Sequence, residues 1–206
     1  MTRSHDAPVT SLDAEYDLRS AFPDYEQYFA DWAARSRSAR QHLRCLLDVP
    51  YGPGPRDRVD FFRANTPSAP LLVYIHGGYW RSLDKSDFSF LAVPFVKCGT
   101  SLALINYELF PGTTMSHLVA QVRRACAWIA LNAGRFDIDY TEFHLAGWSA
   151  GAHLAAIVLC SDMERRLAVT QIGARHTLQL RLIPQQIDRN SIARFGATDA
   201  VCSCGS

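Results

Sequence analysis

Continuous apolar runs alternate along this chain with segments that repeat their apolar positions at helical spacing. Short strands are predicted near 46–51 and 58–63, and more apolar strands over 71–75, 102–107 and 142–146. Helices are predicted over 24–43, 86–98, 115–133 and 150–160. Strands alternating with helices in this way are typical of a largely parallel sheet with helices on both faces.

The predicted helices carry apolar faces, and two of them precede glycines. The helix over 24–43 places Tyr28, Trp32 and Ala33 on one side. The helix over 115–133 buries a face formed by Leu118, Val122, Ala125, Cys126 and Ile129, while Arg123 and Arg124 point outward. Gly99 and Gly134 are expected to end the helices that precede them.

The most informative motif is Gly147-Trp148-Ser149-Ala150-Gly151, which lies between a predicted strand and a predicted helix. A G-x-S-x-G sequence in that context is typical of a nucleophile elbow, where a serine is exposed on a sharp turn. Side chains at the two glycines would collide with the neighbouring strand and helix, and the serine is expected at positive φ. Because G-x-S-x-G also occurs by chance, the motif needs support from elsewhere in the chain.

A second motif, His76-Gly77-Gly78-Tyr79-Trp80, directly follows the apolar strand 71–75. Glycines allow backbone N–H groups to approach an oxygen that becomes negative during acyl transfer. The backbone of Gly77 and Gly78, with the N–H of Ala150, is therefore predicted to form an oxyanion hole. A plain glycine-rich turn explains either motif alone, but not both in this order about 70 residues apart.

The run from His76 to Phe88 resembles the kynurenine formamidase (arylformamidase) branch of the α/β-hydrolases, whose hallmark is H-G-G-x-W. The resemblance extends from about Phe22 to Asp162. It implies an α/β-hydrolase fold, a mostly parallel sheet with helices on both faces, and a Ser-Asp-His triad with Ser149 as nucleophile. Trp148 stands where this branch often has histidine, and the change is not expected to alter the chemistry.

The same resemblance implies conversion of N-formylkynurenine to kynurenine and formate in tryptophan catabolism, without a metal or organic cofactor. A general carboxylesterase acting on short acyl esters is the alternative enzyme, and it differs in pocket shape rather than in catalytic parts. A catalytically impaired remnant without the triad acid and base is the third hypothesis. The expected partner is a small formamide or ester substrate.

Beyond Asp162 the resemblance is lost, and the expected positions of the triad aspartate and histidine are not found. Residues 1–162 are therefore interpreted as the N-terminal two-thirds of an α/β-hydrolase domain, and 163–206 as an atypical, arginine-rich tail. A frameshift or premature stop that replaced the C-terminal third is the hypothesis for this tail. The strand 142–146 would then lack its usual outer neighbours, and 177–182 could pair there instead.

Few histidines follow Ser149, so the triad base stays open. His176 is a weak candidate, with its acid among Asp162, Glu164, Asp188 and Asp199, at spacings too short for the missing strands. His153 lies one helical turn after the serine and is interpreted as a helix-surface histidine or a satisfied packing histidine.

Other residues near the two motifs have structural and functional interpretations. His76 is predicted to brace the oxyanion loop by hydrogen bonding rather than to act as base. Tyr79 and Trp80 either line an aryl pocket or belong to the core. Asp84 and Lys85 either touch substrate or lie at the start of a helix, which Ser86 or Asp87 would cap. Tyr107 or Glu108, at the carboxyl end of a strand, is a possible pocket residue.

Composition agrees with a single globular domain. The chain has 206 residues, 48% of them hydrophobic and 20% charged, with a net charge of +1. This charge favours neither nucleic-acid binding nor attraction to a membrane, and no apolar run reaches the roughly 20 residues of a membrane span. The sequence near Met1 lacks a secretion signal, and six cysteines without a C-x-x-C pair fit buried thiols. These features predict a cytoplasmic protein without a metal site.

Overall fold

The computed structural model describes residues 24–160 and 182–183, and in these residues six strands form one sheet. The strands are β1 (Cys45–Pro50), β2 (Arg58–Phe62), β3 (Ala69–Ile75), β4 (Ser101–Ile105), β5 (Ile138–Gly147) and β6 (Leu182–Ile183). They lie in the order β1-β2-β4-β3-β5-β6. β2 is antiparallel to both of its neighbours, and the other pairs are parallel. The predicted mostly parallel sheet is confirmed.

Helices cover both faces of this sheet, as the alternation of elements predicts. The helices are α1 (Tyr25–His42), α2 (Ala92–Lys97), α3 (Met115–Leu131) and α4 (Ala150–Leu159), with 3-10 segments at Lys85–Leu91 and Ala133–Phe136. α3 and α4 pack on one face, and the first 3-10 segment with α2 packs on the other. The five predicted core residues of α3, from Leu118 to Ile129, are all buried.

The central strands are buried on both sides because their side chains alternate between two cores. Val73 and Ile75 of β3 join the core under α3 and α4, whereas Leu72 and Tyr74 join the opposite core. Such two-sided burial explains why β3 reads as a continuous apolar run.

The single helix predicted over 86–98 is wrong. The structure has a 3-10 segment up to Leu91 and a separate short helix α2 from Ala92. Pro94 gives the physical reason, because proline has no N–H for the bond to the carbonyl four residues earlier. Gly99, at φ 80°, follows α2 as predicted.

The third helix also ends earlier than predicted. α3 stops at Leu131, and Gly134 lies inside the following 3-10 segment instead of ending the helix. The chain turns at Asp137, at φ 57°, and β5 begins at Ile138, four residues before the predicted strand. On α1, Trp32 packs against the core opposite α3, whereas Tyr28 is 48% exposed.

The register of the central strands brings three chain segments to one edge of the sheet. Ile75 of β3 pairs with Ile105 of β4 and with Gly147 of β5. The residues that follow these strands are His76, Asn106 and Trp148, so both sequence motifs leave the sheet side by side. In open α/β sheets, ligands bind at this carboxyl edge of the strands.

The outer side of β5 carries β6, which pairs Leu145 with Leu182 and Ala146 with Ile183. The sequence predicts a substitute strand at this place over 177–182, and of that range only Leu182 is among the described residues. No helix in the described part of the chain is long and apolar enough to cross a bilayer.

Candidate active site

Ser149 has the backbone conformation of a nucleophile elbow. It lies at φ 52° and ψ −116°, between the end of β5 and the start of α4, and its side chain is exposed. A non-glycine residue at positive φ is strained and persists where the surrounding structure fixes it. The positive φ expected for this serine is therefore observed.

The two glycines of the elbow are required by close backbone contacts. A Cβ on Gly151 would lie 2.0 Å from the carbonyl oxygen of Ile75 and 2.4 Å from that of His76. A Cβ on Gly147 would lie 2.4 Å from the carbonyl carbon of Gly151. The predicted collisions with the neighbouring strand and helix are present at both positions.

The loop after β3 is unusually rich in left-handed backbone. Gly78 has φ 106°, and Tyr79, Trp80 and Leu83 have φ between 56° and 72°. Gly78 closes the turn, because its carbonyl accepts hydrogen bonds from the N–H groups of Arg81 and Ser82 at 3.0 and 3.1 Å. The loop reverses direction directly beside the elbow.

The predicted oxyanion donors lie in this contact region. Among the described residues, the backbone N–H groups of Gly77, Gly78 and Ala150 donate to no protein acceptor. Gly77 packs against the elbow, since a Cβ there would lie 2.7 Å from the carbonyl oxygen of Trp148. Uncommitted N–H groups beside an exposed serine are what stabilisation of an acyl-transfer oxyanion requires.

His76 is buried beneath the loop, with 1% of its surface exposed. Its Nδ1 lies 2.8 Å from the Gly77 carbonyl oxygen and its Nε2 lies 3.0 Å from Asn106 Oδ1. Burial lowers the pKa of His76 to about 4. A neutral imidazole has one N–H and donates to one of these two oxygens, and this buried position favours the bracing role over that of a base.

Asn106 is the centre of a polar network that the sequence alone did not identify. Its side-chain N–H donates to Asp84 at 2.6 Å, and its oxygen accepts from Arg56 at 3.0 Å. Arg56 also donates to the carbonyl oxygen of Tyr107 at 2.6 Å. A signal was available, because Asn106 is the first polar residue after β4, next to the strand that carries His76.

Tyr107 does not line a pocket, so that interpretation is wrong for this residue. It is fully buried, its ring stacks on His76 at 4.3 Å, and its hydroxyl donates to the His76 carbonyl oxygen at 2.7 Å. Glu108 is half-buried, and its N–H donates to Gln121 Oε1 at 2.8 Å.

Asp84 and Lys85 have structural contacts. Asp84 caps the 3-10 segment, accepting from the N–H of Ser86 while Asp87 accepts from the N–H of Asp84. The cap is therefore Asp84 rather than Ser86 or Asp87. Lys85 is 4% exposed and pairs with Asp48 and Asp60, each at 2.7 Å.

That buried ion pair accounts for the charge of Lys85 without a substrate. Although burial acts to lower the pKa of Lys85, the hydrogen bonds that it donates to Asp48 and Asp60 raise it. Burial raises the pKa of Asp60. The pair links the first 3-10 segment to β1 and β2.

The two aromatic residues of the loop have different environments. Tyr79 is 70% exposed, so it is not a core residue. Trp80 is half-buried against the core, and its indole N–H is buried without a hydrogen-bond partner among the described residues. His153 is exposed, in agreement with its interpretation as a helix-surface residue, and its ring lies 5.4 Å from the Trp80 ring.

Several predicted residues lie outside the part of the chain that the structure describes. They are His176, Asp162, Glu164, Asp188, Asp199 and the rest of the tail 163–206 except 182–183. The division at residue 162 stays a prediction. Within 24–160 and 182–183, no group of three or more acidic, histidine or cysteine side chains could hold a metal ion.

The buried state of His76 predicts an acid-sensitive fold. An unfolded histidine has a pKa near 6.5, so on acidification the unfolded chain takes up a proton between pH 6.5 and 4 while folded His76 stays neutral. The free energy of unfolding should therefore fall across this window, by about 3 kcal/mol for this residue. Urea unfolding at several pH values should show a smaller loss in His76→Asn, and equal losses in both proteins would contradict the prediction.

The sheet order, the strained serine and the glycine loop beside it define an α/β-hydrolase of the serine-hydrolase type. The family model described as BD-FAE matches residues 60–197. The chain belongs to this BD-FAE family. The match extends further than Asp162, where the resemblance was expected to end.

Individual relatives agree with this class. A kynurenine formamidase from Danio rerio is 38% identical over 126 residues, which cover 60% of this chain and 42% of that protein. Esterase LipQ from Mycobacterium tuberculosis is 35% identical over 128 residues, which cover 59% of this chain and 30% of that protein. The chain thus spans less than half the length of these curated relatives.

A solved structure from Silicibacter sp. tm1040, described provisionally as a thioesterase, is similar in three dimensions. It superposes with a TM-score of 0.68 at 33% sequence identity, and covers 84% of this chain and 62% of the other. The sequence prediction of an α/β-hydrolase related to kynurenine formamidases is confirmed.

Proposed function

We propose that this chain carries the nucleophile and oxyanion hole of an arylformamidase that converts N-formylkynurenine to kynurenine and formate. The observation that supports this most is Ser149 at φ 52°, exposed on the elbow whose Trp148 packs on Gly77, together with Gly77 and Gly78 N–H groups that donate to no acceptor among the described residues. The kynurenine formamidase relatives of 37–38% identity supply the substrate class.

The reaction would proceed by acyl transfer in two stages. Ser149 Oγ attacks the formyl carbon, the carbonyl electrons move to oxygen, and the backbone N–H groups of Gly77, Gly78 and Ala150 hold the oxyanion. The serine proton passes through a base to the aryl amine nitrogen as the carbon–nitrogen bond breaks. Water then attacks the formyl-enzyme, releases formate and returns the proton to Ser149.

The base of this scheme is not assigned among the described residues. His76 does not fit that role, because its ring is buried beneath the loop between the Gly77 carbonyl oxygen and Asn106 Oδ1. His176 remains the weak candidate and lies outside the described residues.

A short-chain carboxylesterase is the second candidate. The similarity to Esterase LipQ, at 35% identity, favours it, and the same serine and N–H groups would serve an ester. The third hypothesis is a remnant that keeps the elbow but lacks turnover. Removal of a triad member costs orders of magnitude in rate but leaves some catalysis from the oxyanion hole.

Two parallel assays and one labelling reaction separate these hypotheses. The 206-residue protein would be given N-formylkynurenine and a short-chain nitrophenyl ester, and Ser149 would be treated with a fluorophosphonate. We expect labelling and faster turnover of the formamide. Labelling with preference for the ester would identify a carboxylesterase, and a folded protein without labelling or turnover would identify a remnant.

A cytoplasmic location, with a small formamide as the partner, completes the proposal. Of the described cysteines, Cys126 is fully buried and burial raises the pKa of its thiol to about 12, whereas Cys98 and Cys160 are exposed, so the prediction of buried thiols is wrong for those two.

A further inference from the structure

The indole ring of Trp148 lies directly against the oxyanion loop. A Cβ on Gly77 would be 2.8 Å from Trp148 Cε3 and 3.2 Å from its Cδ2, so the ring covers the face of Gly77 that has no side chain. The backbone of Trp148 is also fixed, since its N–H donates to the Ile75 carbonyl oxygen at 3.2 Å. Trp148 thus touches the loop at the residue proposed as the first oxyanion donor.

The ring itself is held by aromatic residues from two other elements. Trp32 of α1 meets Trp148 edge-on at 5.5 Å, and Phe88 of the first 3-10 segment lies 5.9 Å away. Trp32 also contacts Phe88 at 5.8 Å and stacks on Phe90 at 5.6 Å. Trp148 therefore has Gly77 on one side and an aromatic cluster on the other.

α1 is attached firmly enough to hold this cluster in place. The buried Ser36 hydroxyl donates to the Asp87 carbonyl oxygen at 2.8 Å and accepts from the N–H of Phe90 at 3.1 Å. Arg40 donates to Ser89 Oγ at 3.1 Å. These contacts fix the helix on the same 3-10 segment that carries Phe88.

From these contacts we infer that Trp148 is a positioning residue for the oxyanion loop and that Trp32 holds it there. The loop needs such support, because its successive left-handed residues are strained and persist only where their surroundings over-determine them. Oxyanion donors lose their effect when they move away from the developing charge. The catalytic consequence of this inference rests on the proposed function. The contact between Trp148 and Gly77, and its effect on the loop, are independent of that function.

The test compares Trp148→Ala and Trp32→Ala with Trp148→Phe and with Trp128→Ala in the 206-residue protein. Trp128 is a matched control, since it packs on Phe136 in the core on the opposite face of the sheet. Hydrogen exchange would be followed at the amides of Arg81 and Ser82, which donate to Gly78. The second-order rate constant for fluorophosphonate labelling of Ser149 is the catalytic readout.

We expect exchange at these two amides to be at least tenfold faster in Trp148→Ala and Trp32→Ala, after correction for global stability. Labelling should slow at least tenfold in the same variants. Trp148→Phe should recover most of both properties, and Trp128→Ala should change neither more than twofold. Trp148→Phe also keeps the test informative if either alanine variant at the cluster fails to fold.

Unchanged exchange in Trp148→Ala, or an equal increase in Trp128→Ala, would overturn the inference. Faster exchange without slower labelling would show that Trp148 holds the loop but does not control the position of the oxyanion donors. That result would also overturn the inference. If wild-type Ser149 does not react at all, the proposed function fails, whereas exchange still decides whether Trp148 holds the loop.

Discussion

Replacing Ser149 with alanine is expected to abolish hydrolysis of the formamide and of the ester, and to leave the fold intact. With a complete triad, removal of the nucleophile lowers kcat by about a millionfold. The fold should be unaffected because the serine side chain is exposed and caps no helix N–H group. The free energy of unfolding should stay within about 0.5 kcal/mol of wild type.

The measurement is turnover of both substrates with fluorophosphonate labelling, beside urea unfolding of the same samples. Ser116→Ala is the matched control, because Ser116 is an exposed serine on α3. It should keep full activity and labelling. If Ser149→Ala keeps its rate, then Ser149 is not the nucleophile and the proposed mechanism is wrong.

The second large effect is expected from Gly78→Ala, which should lower kcat by about a hundredfold to a thousandfold with little change in KM. A Cβ at this residue would lie 2.2 Å from the backbone oxygen of Ser82, and φ 106° is unfavourable for alanine. The loop must shift and carry its N–H groups away from the oxyanion. Loss of one such donor costs about 2.7–4 kcal/mol of transition-state stabilisation.

Gly134→Ala is the control for this substitution, because a Cβ at Gly134 meets no atom within 4 Å. Its kinetics and stability should match those of wild type. An increase in KM with unchanged kcat for Gly78→Ala would mean that the loop shapes the pocket but does not stabilise the transition state.

The sequence was sufficient to predict the parts of the site that depend on backbone shape. Gly147 and Gly151 had a steric reason that the structure reproduces, and the apolar run before His76 is the buried strand β3. These features follow from local rules, because a sharp turn and a doubly buried strand each limit which residues can be present.

The parts that depend on contacts between distant segments were not predicted. Although the position of Asn106 after β4 was a signal, its contacts with Arg56 and Asp84 form only after β4 has paired with both β2 and β3. The break at Pro94 is different, since the proline was visible in the sequence and indicated that a continuous helix was unfavourable.

The packing of Gly151 against the Ile75 and His76 carbonyl groups has a consequence for folding order. The glycine loop and the serine turn are about 70 residues apart along the chain, yet they are in close contact. Trp148 fills the space beside Gly77, and the Ile75 and His76 carbonyl groups fill the space beside Gly151. The strained serine conformation is therefore supported only after β3 and β5 have paired. We therefore expect folding intermediates in which β3 and β5 are unpaired to leave Ser149 unreactive.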